Sequence, residues 1–258
     1  MGRFVRSMDL DRIDKAYEKT YDRICGVHPN VRCWHFQWLS VRRIYEDLRR
    51  ILPGIRGRVL DVGCGNKPYS QYLKHVEKGR HIGIDVAPGP EVDAVLEEGK
   101  RWPLEDSQFD AVLCTQVLEH VPECEEMISE IFRVLVPGGL LVVTVPFIYS
   151  EHGAPGDFRR FSLYGAKKLF SDRFDVLELK GQGGFGSTAG MLLLGWLNEA
   201  IHRSRAFRLL RFAFLPAWMA FCLAVNIFGV LLDILDRTEA FYGNVLLVAK
   251  RPLLKSMP

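Results

Sequence analysis

The ten residues Val59-Leu60-Asp61-Val62-Gly63-Cys64-Gly65-Asn66-Lys67-Pro68 constrain this chain more than any other stretch. A buried apolar run stops at two glycines separated by one residue. Glycine there lets the backbone turn sharply and lets a ligand approach it closely. A helix is predicted near 68–76, and the unpaired N–H groups at its start would suit a carboxylate or a phosphate. About twenty residues on, His81-Ile82-Gly83-Ile84-Asp85 reads as a second apolar strand ending in a carboxylate, the place where such folds bind a ribose diol.

From Arg58 to Pro146 strand and helix patterns alternate, which predicts a parallel sheet with helices on both faces. The strands fall at 58–63, 81–86, 92–96, 109–115 and 140–146, and helices near 68–76 and 123–135. Pro137-Gly138-Gly139 reads as a turn between a helix and a fully apolar strand. A helix near 162–171, a strand at 174–181 and a last strand at 243–250 complete the pattern. Upstream, residues 9–24 and 33–51 carry apolar positions at helical spacing, and Pro53-Gly54 ends the second helix.

The bounds are mild. With 48% hydrophobic and 25% charged residues among 258, the chain reads as a folded domain with an elaboration. A net charge of +3 is too mild to argue for nucleic acid, and no nucleic-acid partner is expected. Six cysteines show no paired framework, which fits a reducing, cytoplasmic setting. Cys25, His28, Cys33 and His35 match no zinc-finger spacing and read as a turn between two helices, so no metal site is expected. The first residues lack a charged-then-apolar signal sequence.

A dinucleotide site wants a third glycine three residues after the second, and Pro68 stands there. Asp-Val-Gly-Cys-Gly-Asn instead resembles motif I of the class I S-adenosylmethionine-dependent methyltransferases. Three further segments resemble the same family in its order and spacing. They are Trp102-Pro103-Leu104-Glu105-Asp106 with Phe109-Asp110, Val117-Leu118-Glu119-His120-Val121, and Arg133-Val134-Leu135-Val136-Pro137-Gly138-Gly139. The resemblance covers roughly 58–146 and implies a Rossmann-like α/β sheet of seven strands with the last one reversed. It implies S-adenosylmethionine as cofactor, with Asp61, Gly63 and Gly65 at its methionyl end and Asp85 on its ribose hydroxyls. Glu98, with Glu97 as rival, is placed like the acid at the adenine amino group, and Gln116 like a residue lining the methionyl pocket.

Tyr149, His152, Pro155, Asp157, Arg159, Arg160 and Phe161 resemble a segment of bacterial methyltransferases linked to sugar and surface-glycan pathways. A hydroxyl acceptor needs a base near its proton. His152 and Asp157 are the first candidates, on a loop at the sheet's carboxyl edge, and His120 the third. Tyr149, Arg159 and Arg160 are candidates for holding the acceptor, the arginines through a phosphate or acidic sugar. Either arginine could equally pair with Asp157.

The expected division is an N-terminal helical cap (1–57), a core (58–181), an apolar insertion (182–242), and the last strand with its tail (243–258). The insertion holds an uncharged run from Phe212 to Leu232, preceded by Arg203, Arg205, Arg208 and Arg211. That run is as long as a membrane span, and the arginines would suit anionic headgroups. Because the strands on either side of the insertion share one sheet, a single crossing is impossible. Helices or a shallow hairpin lying in the interface are expected, placing the protein on the inner face of the membrane. The alternative is a soluble lid or dimer face. The expected reaction is methyl transfer to a hydroxyl on a glycan or lipid-linked acceptor at that surface. The rivals are a quinone or other lipid-like small molecule as acceptor, a methyltransferase-like scaffold without catalysis, and a nicotinamide oxidoreductase.

Overall fold

A computed structural model describes residues 2–77, 79–97, 99–203 and 205–253, with side chains for all of these except 2–11 and 205–209. The chain divides into two compact units. One comprises 43–182 and 242–258, the other 1–42 and 183–241.

The first unit is built on seven strands: β1 (Val59–Val62), β2 (His81–Asp85), β3 (Ala94–Val95), β4 (Phe109–Thr115), β5 (Leu135–Pro146), β6 (Asp175–Gln182) and β7 (Asn244–Lys250). Their order is β3-β2-β1-β4-β5-β7-β6, with β7 antiparallel to both of its neighbours and the other pairs parallel. This is the expected Rossmann-like sheet with a reversed final strand. Central strands of such a sheet are covered on both faces and read as unbroken apolar runs. Accordingly Leu60, Val112, Leu113, Leu141, Val245 and Leu246 are fully buried. Helices α3 (Cys124–Val134) and α4 (Leu163–Ser171) lie where expected. Ser162 caps α4 by accepting a hydrogen bond from Gly165 N at 3.1 Å.

Three expectations are corrected. The helix predicted near 68–76 is only a short 3₁₀ turn, Ser70–Tyr72. Lys67 adopts a left-handed φ of +46° and its ammonium is pulled back to His81 O and Asp93, so the chain is tied down before a helix can propagate. The helix predicted over 33–51 starts at Trp38 as α2 (Trp38–Ile51). The carbonyls of Cys33 and His35 accept from Asn226 Nδ2 at 2.7 and 3.1 Å, and His35 O also accepts from Trp38 N at 3.1 Å, a three-residue turn that leads into the helix. Pro137-Gly138-Gly139 does not lie outside the strand. It loops out within β5, so that Leu135 pairs with Phe109 while Leu140 pairs with Ala111.

The second unit gathers α1 (Gly2–Cys25), α5 (Phe185–Arg203) and α6 (Arg205–Leu235). α5 and α6 form a hairpin whose contact is set by small residues. A Cβ on Gly186 would overlap Gly229 O, and one on Gly190 would lie 3.3 Å from Val225 Cγ1. Two carboxylates near the end of α6 satisfy the free N–H groups that begin α5: Asp236 accepts from Phe185 N and Asp233 from Ser187 N, both at 2.8 Å. Tyr17, Tyr21 and Cys25 of α1 bury themselves against Leu215 of α6. Arg211 is buried and paired with Asp14, its guanidinium 4.2 Å from the Tyr17 ring centre. It is therefore not available to lipid headgroups as the sequence suggested; the side chains of Arg205 and Arg208 lie outside the described residues.

The other side of α6 has no such cover. Phe214, Phe221, Ile227, Phe228, Leu231 and Leu235 are exposed, Phe228 by 61% and Leu235 by 74%. The span Leu210–Leu235 contains 26 residues and is the one helix among the described residues long and apolar enough to cross a membrane. At 1.5 Å per residue it is about 39 Å long.

Candidate functional site

The parallel strands β2, β1, β4 and β5 end at one edge of the sheet, which brings residues 85–87, 63–67, 116–120 and 147–160 together along that edge, in the order of the strands. That edge is where open α/β sheets bind ligands.

At the end of β1 the chain turns through Gly63 and Gly65, both at positive φ (+63° and +49°). Their roles differ. A Cβ on Gly63 would overlap Val117 Cγ2, so this glycine is needed for packing. A Cβ on Gly65 would meet nothing within 4 Å, so this glycine borders open space. Asp85, at the end of β2, holds the turn in place. One oxygen accepts from Gly65 N at 3.0 Å and the other from Ala87 N at 3.1 Å. Asp61 lies within β1 rather than at the edge. It is 1% exposed, with His81 Nε2 3.3 Å from Oδ2. Burial pushes its carboxyl pKa up, and the histidine opposes that shift. Glu98 lies outside the described residues, whereas its rival Glu97 is exposed and paired with Lys100. Gln116, after β4, is held at φ +55°, with its Nε2 donating to Thr144 Oγ1 at 3.2 Å.

Lys67 braces the glycine turn, a support that the sequence did not flag. Its ammonium is 2.6 Å from Asp93 Oδ2, and Asp93 also accepts from Gly83 N at 2.7 Å. The lysine stem crosses Gly83, where a Cβ would overlap Lys67 Cε. The pair thus fastens the glycine turn to the second strand in place of the missing helix. Asn-Lys-Pro gives no local hint of this, because the partner lies 26 positions away.

The second half of the site is built by the 3₁₀ turn Leu118–His120 and the loop 147–161. Glu119 is fully buried, and neither carboxylate oxygen has a hydrogen-bond partner among the described residues. Burial pushes its pKa up to about 7. His120 Nδ1 is 2.5 Å from Gly156 O, and its Nε2 is 3.9 Å from Glu119 Oε1. The rings of His120 and His152 meet edge to face at 4.9 Å, and those of Tyr149 and His152 at 5.1 Å. The structure therefore brings His120, Tyr149 and His152 together.

Asp157 and the two arginines serve the loop instead. Asp157 accepts from Arg160 NH1 and NH2 at 2.5 and 2.7 Å and from His152 N at 2.8 Å. The arginine holds its carboxyl well below the usual carboxylate range. So stabilised an anion makes a poor proton acceptor, and Asp157 fits an orienting role for His152, whose Nδ1 is 3.4 Å away. Arg160 forms the bridge to Asp157 that the sequence left open. Arg159 donates to the carbonyls of Val121 and Pro122, which binds the turn after His120.

Residues 60–143 match the family model described as "Methyltransferase domain". The ubiquinone biosynthesis O-methyltransferase of Hahella chejuensis is 36% identical over 178 residues, covering 63% of this chain and 70% of that enzyme. The chain belongs to the class I S-adenosylmethionine-dependent methyltransferases. This methyltransferase is also 32% identical to the sterol 24-C-methyltransferase of Yarrowia lipolytica over 133 residues. That match takes in 46% of the chain but only 34% of the sterol enzyme. Solved structures repeat the fold. The [4+2]-cyclase SpnF superposes with a TM-score of 0.55 at 20% identity over 84% of both chains. Phosphoethanolamine N-methyltransferase 2 of Haemonchus contortus, in complex with S-adenosylmethionine, superposes with a TM-score of 0.50 at 14% identity, over 91% of this chain and 59% of that one. As a member of that family, this methyltransferase uses S-adenosylmethionine as its cofactor.

Proposed function

We propose that this methyltransferase acts at a membrane surface, moving a methyl group to a hydroxyl of a lipid-linked or glycan acceptor. The exposed face of α6 carries this reading. From Leu210 to Leu235 it shows solvent a continuous stripe of Leu, Phe, Ala and Ile without a charge, while the polar groups Arg211, Asn226 and Asp233 turn inward and find protein partners. A helix that crosses a bilayer is apolar all round; one polar on its protein side and apolar outside fits a hairpin lying in the interface. The ends of the insertion agree with this. Gln182 and Asn244 are register partners on β6 and β7, so the chain leaves and returns at the same rung of one sheet. The exposed Arg203, beside the hairpin's tip, would face anionic headgroups.

The glycine turn supports a seat for the cofactor's methionyl end, because Gly65 borders free space and Asp85 fixes the turn's direction. Asp85 is the candidate for the ribose hydroxyls and Gln116 for the methionyl pocket, with Asp61 behind the turn. The bound cofactor supplies an already activated methyl group. The chain must add alignment, exclusion of water, and a way to remove the acceptor's proton. The cluster of His120, Tyr149 and His152 is the candidate for that last task. His152 leads because Asp157 orients it and it is partly open to solvent.

A second reading, with a quinone or similar lipid-like acceptor, is favoured by the 36% likeness to a ubiquinone O-methyltransferase. Transfer of a labelled methyl group in extracts separated into lipid, glycan and protein fractions tests both. Label in a lipid-linked glycan supports the first reading and label in a quinone the second. Label in protein alone contradicts both.

A further inference from the structure

We infer that Glu119, His120 and His152 form a binding site for a divalent transition-metal cation, with zinc or cobalt as the fitting chemistry. One donor atom from each residue lies within 4.8 Å of the other two. Three further observations point to a ligand here. The first is Glu119 itself: fully buried, both oxygens without a partner among the described residues, and one of them 3.9 Å from His120 Nε2. A carboxyl taken out of water with nothing to bond is costly, and a cation supplied from outside removes that cost.

The second observation is the tautomer of each ring. His120 Nδ1 is 2.5 Å from the carbonyl of Gly156, so it carries the proton and Nε2 keeps its lone pair. His152 Nδ1 faces Ser150 O at 3.2 Å and the Asp157 carboxylate at 3.4 Å. It too is the protonated nitrogen, leaving Nε2 as the donor. Metal-binding histidines are held in this way, the second N–H given to a carbonyl or carboxylate.

The third is how firmly these supports are themselves fixed. Asp157 is clamped by Arg160 and by the backbone N–H of His152. The Glu119 carbonyl accepts from Phe158 N at 2.8 Å, which ties the loop to the turn, and Pro146 O accepts from Phe161 N at 2.9 Å, which closes the loop on the end of β5.

Metal–donor distances near 2.0–2.2 Å put neighbouring donors roughly 3–4 Å apart, so the site closes with a movement of about 1 Å. His152 sits on a loop and is partly exposed, so its ring can supply that movement. Two imidazoles and one carboxylate select a transition metal over magnesium, which prefers an all-oxygen octahedron. Three protein donors also leave coordination positions open for an outside oxygen. The role of the cation rests on the proposed methyl transfer: at this edge it would hold the acceptor's oxygen and ease loss of its proton to solvent, so that with the cation bound His152 serves proton removal as a ligand and not as a free base. Binding of the cation itself does not rest on that reading.

The test uses the full chain, stripped with a chelator and titrated with Zn²⁺ by calorimetry and with Co²⁺ by visible absorption, each with and without excess Mg²⁺. Glu119→Gln and His152→Ala are titrated alongside, and cofactor affinity is measured for all three chains. The expected result is one cation per chain, undisturbed by Mg²⁺, weakened more than about tenfold in each variant, with cofactor affinity unchanged. No saturable binding overturns the inference, as does binding that survives both substitutions or that Mg²⁺ displaces. Because these readouts do not involve turnover, a failure here is distinct from a failure to find methyl transfer.

Discussion

The two units of this chain treat apolar residues in opposite ways. In the sheet unit, β7 runs Val245-Leu246-Leu247-Val248-Ala249 and every one of these side chains is buried. In the helical unit, α6 is just as apolar, yet Phe214, Phe228, Leu231 and Ile234 are exposed. The first pattern is complete within the chain, because neighbouring strands and helices cover both faces. The second is incomplete, because exposed apolar stripes of this length mark a surface that something else covers. Composition alone does not separate these cases; what separates them is whether the chain itself supplies the cover.

The largest effect that could break this comparison is on membrane binding. Replacing Phe214, Phe228 and Leu231 with Glu should lower binding to anionic liposomes in flotation by more than about 100-fold, since each buried Phe or Leu contributes roughly 1.5–3 kcal/mol. The melting temperature and cofactor affinity should stay the same, as these side chains touch solvent. Unchanged flotation would mean that the two units do not differ in what covers them.

A second test sharpens the contrast from the other side. Asp157→Asn and His152→Ala should each lower turnover on the order of 100-fold, with cofactor affinity near normal and flotation unaffected. A matching loss of cofactor affinity would place the loop 147–161 in the cofactor seat instead. Third, Gly63→Ala should cost about 2–3 kcal/mol in denaturant unfolding, from its positive φ and from the contact with Val117. Adding Val117→Ala should return part of the loss, whereas no recovery would assign all of it to the backbone. The smallest effect is expected of Lys67→Met, about 1–2 kcal/mol through loss of the hydrogen-bonded ion pair with Asp93. Measured by the same unfolding, no change would show that the pair does not secure the turn.

The sheet was legible because its signals are local. Each parallel strand is an apolar run bounded by glycine, proline or a carboxylate, and the glycine turn after β1 lies where the spacing put it. Three of the failures share one cause, a partner distant in sequence. The helix after the turn is missing because Lys67 reaches Asp93. The helix start at 33 is displaced because Asn226 holds the carbonyls of Cys33 and His35. Arg211 looked like a headgroup contact because its partner Asp14 stands 197 positions earlier. In the candidate site, Asp85 sits at the strand end where its position predicted it. Glu119 was visible only as part of a family-like segment; its isolation from hydrogen-bond partners is a property of packing that no spacing encodes.

The most direct measurement combines the two units in one assay. Labelled S-adenosylmethionine is given to the full chain with membranes and the soluble fraction together, and the label is followed into lipid, lipid-linked glycan, protein and water-soluble products. The account predicts label in the lipid or lipid-linked fraction, and its loss when Phe214, Phe228 and Leu231 are all replaced with Glu. Label confined to water-soluble products or protein, at a rate that the triple replacement does not change, would contradict it.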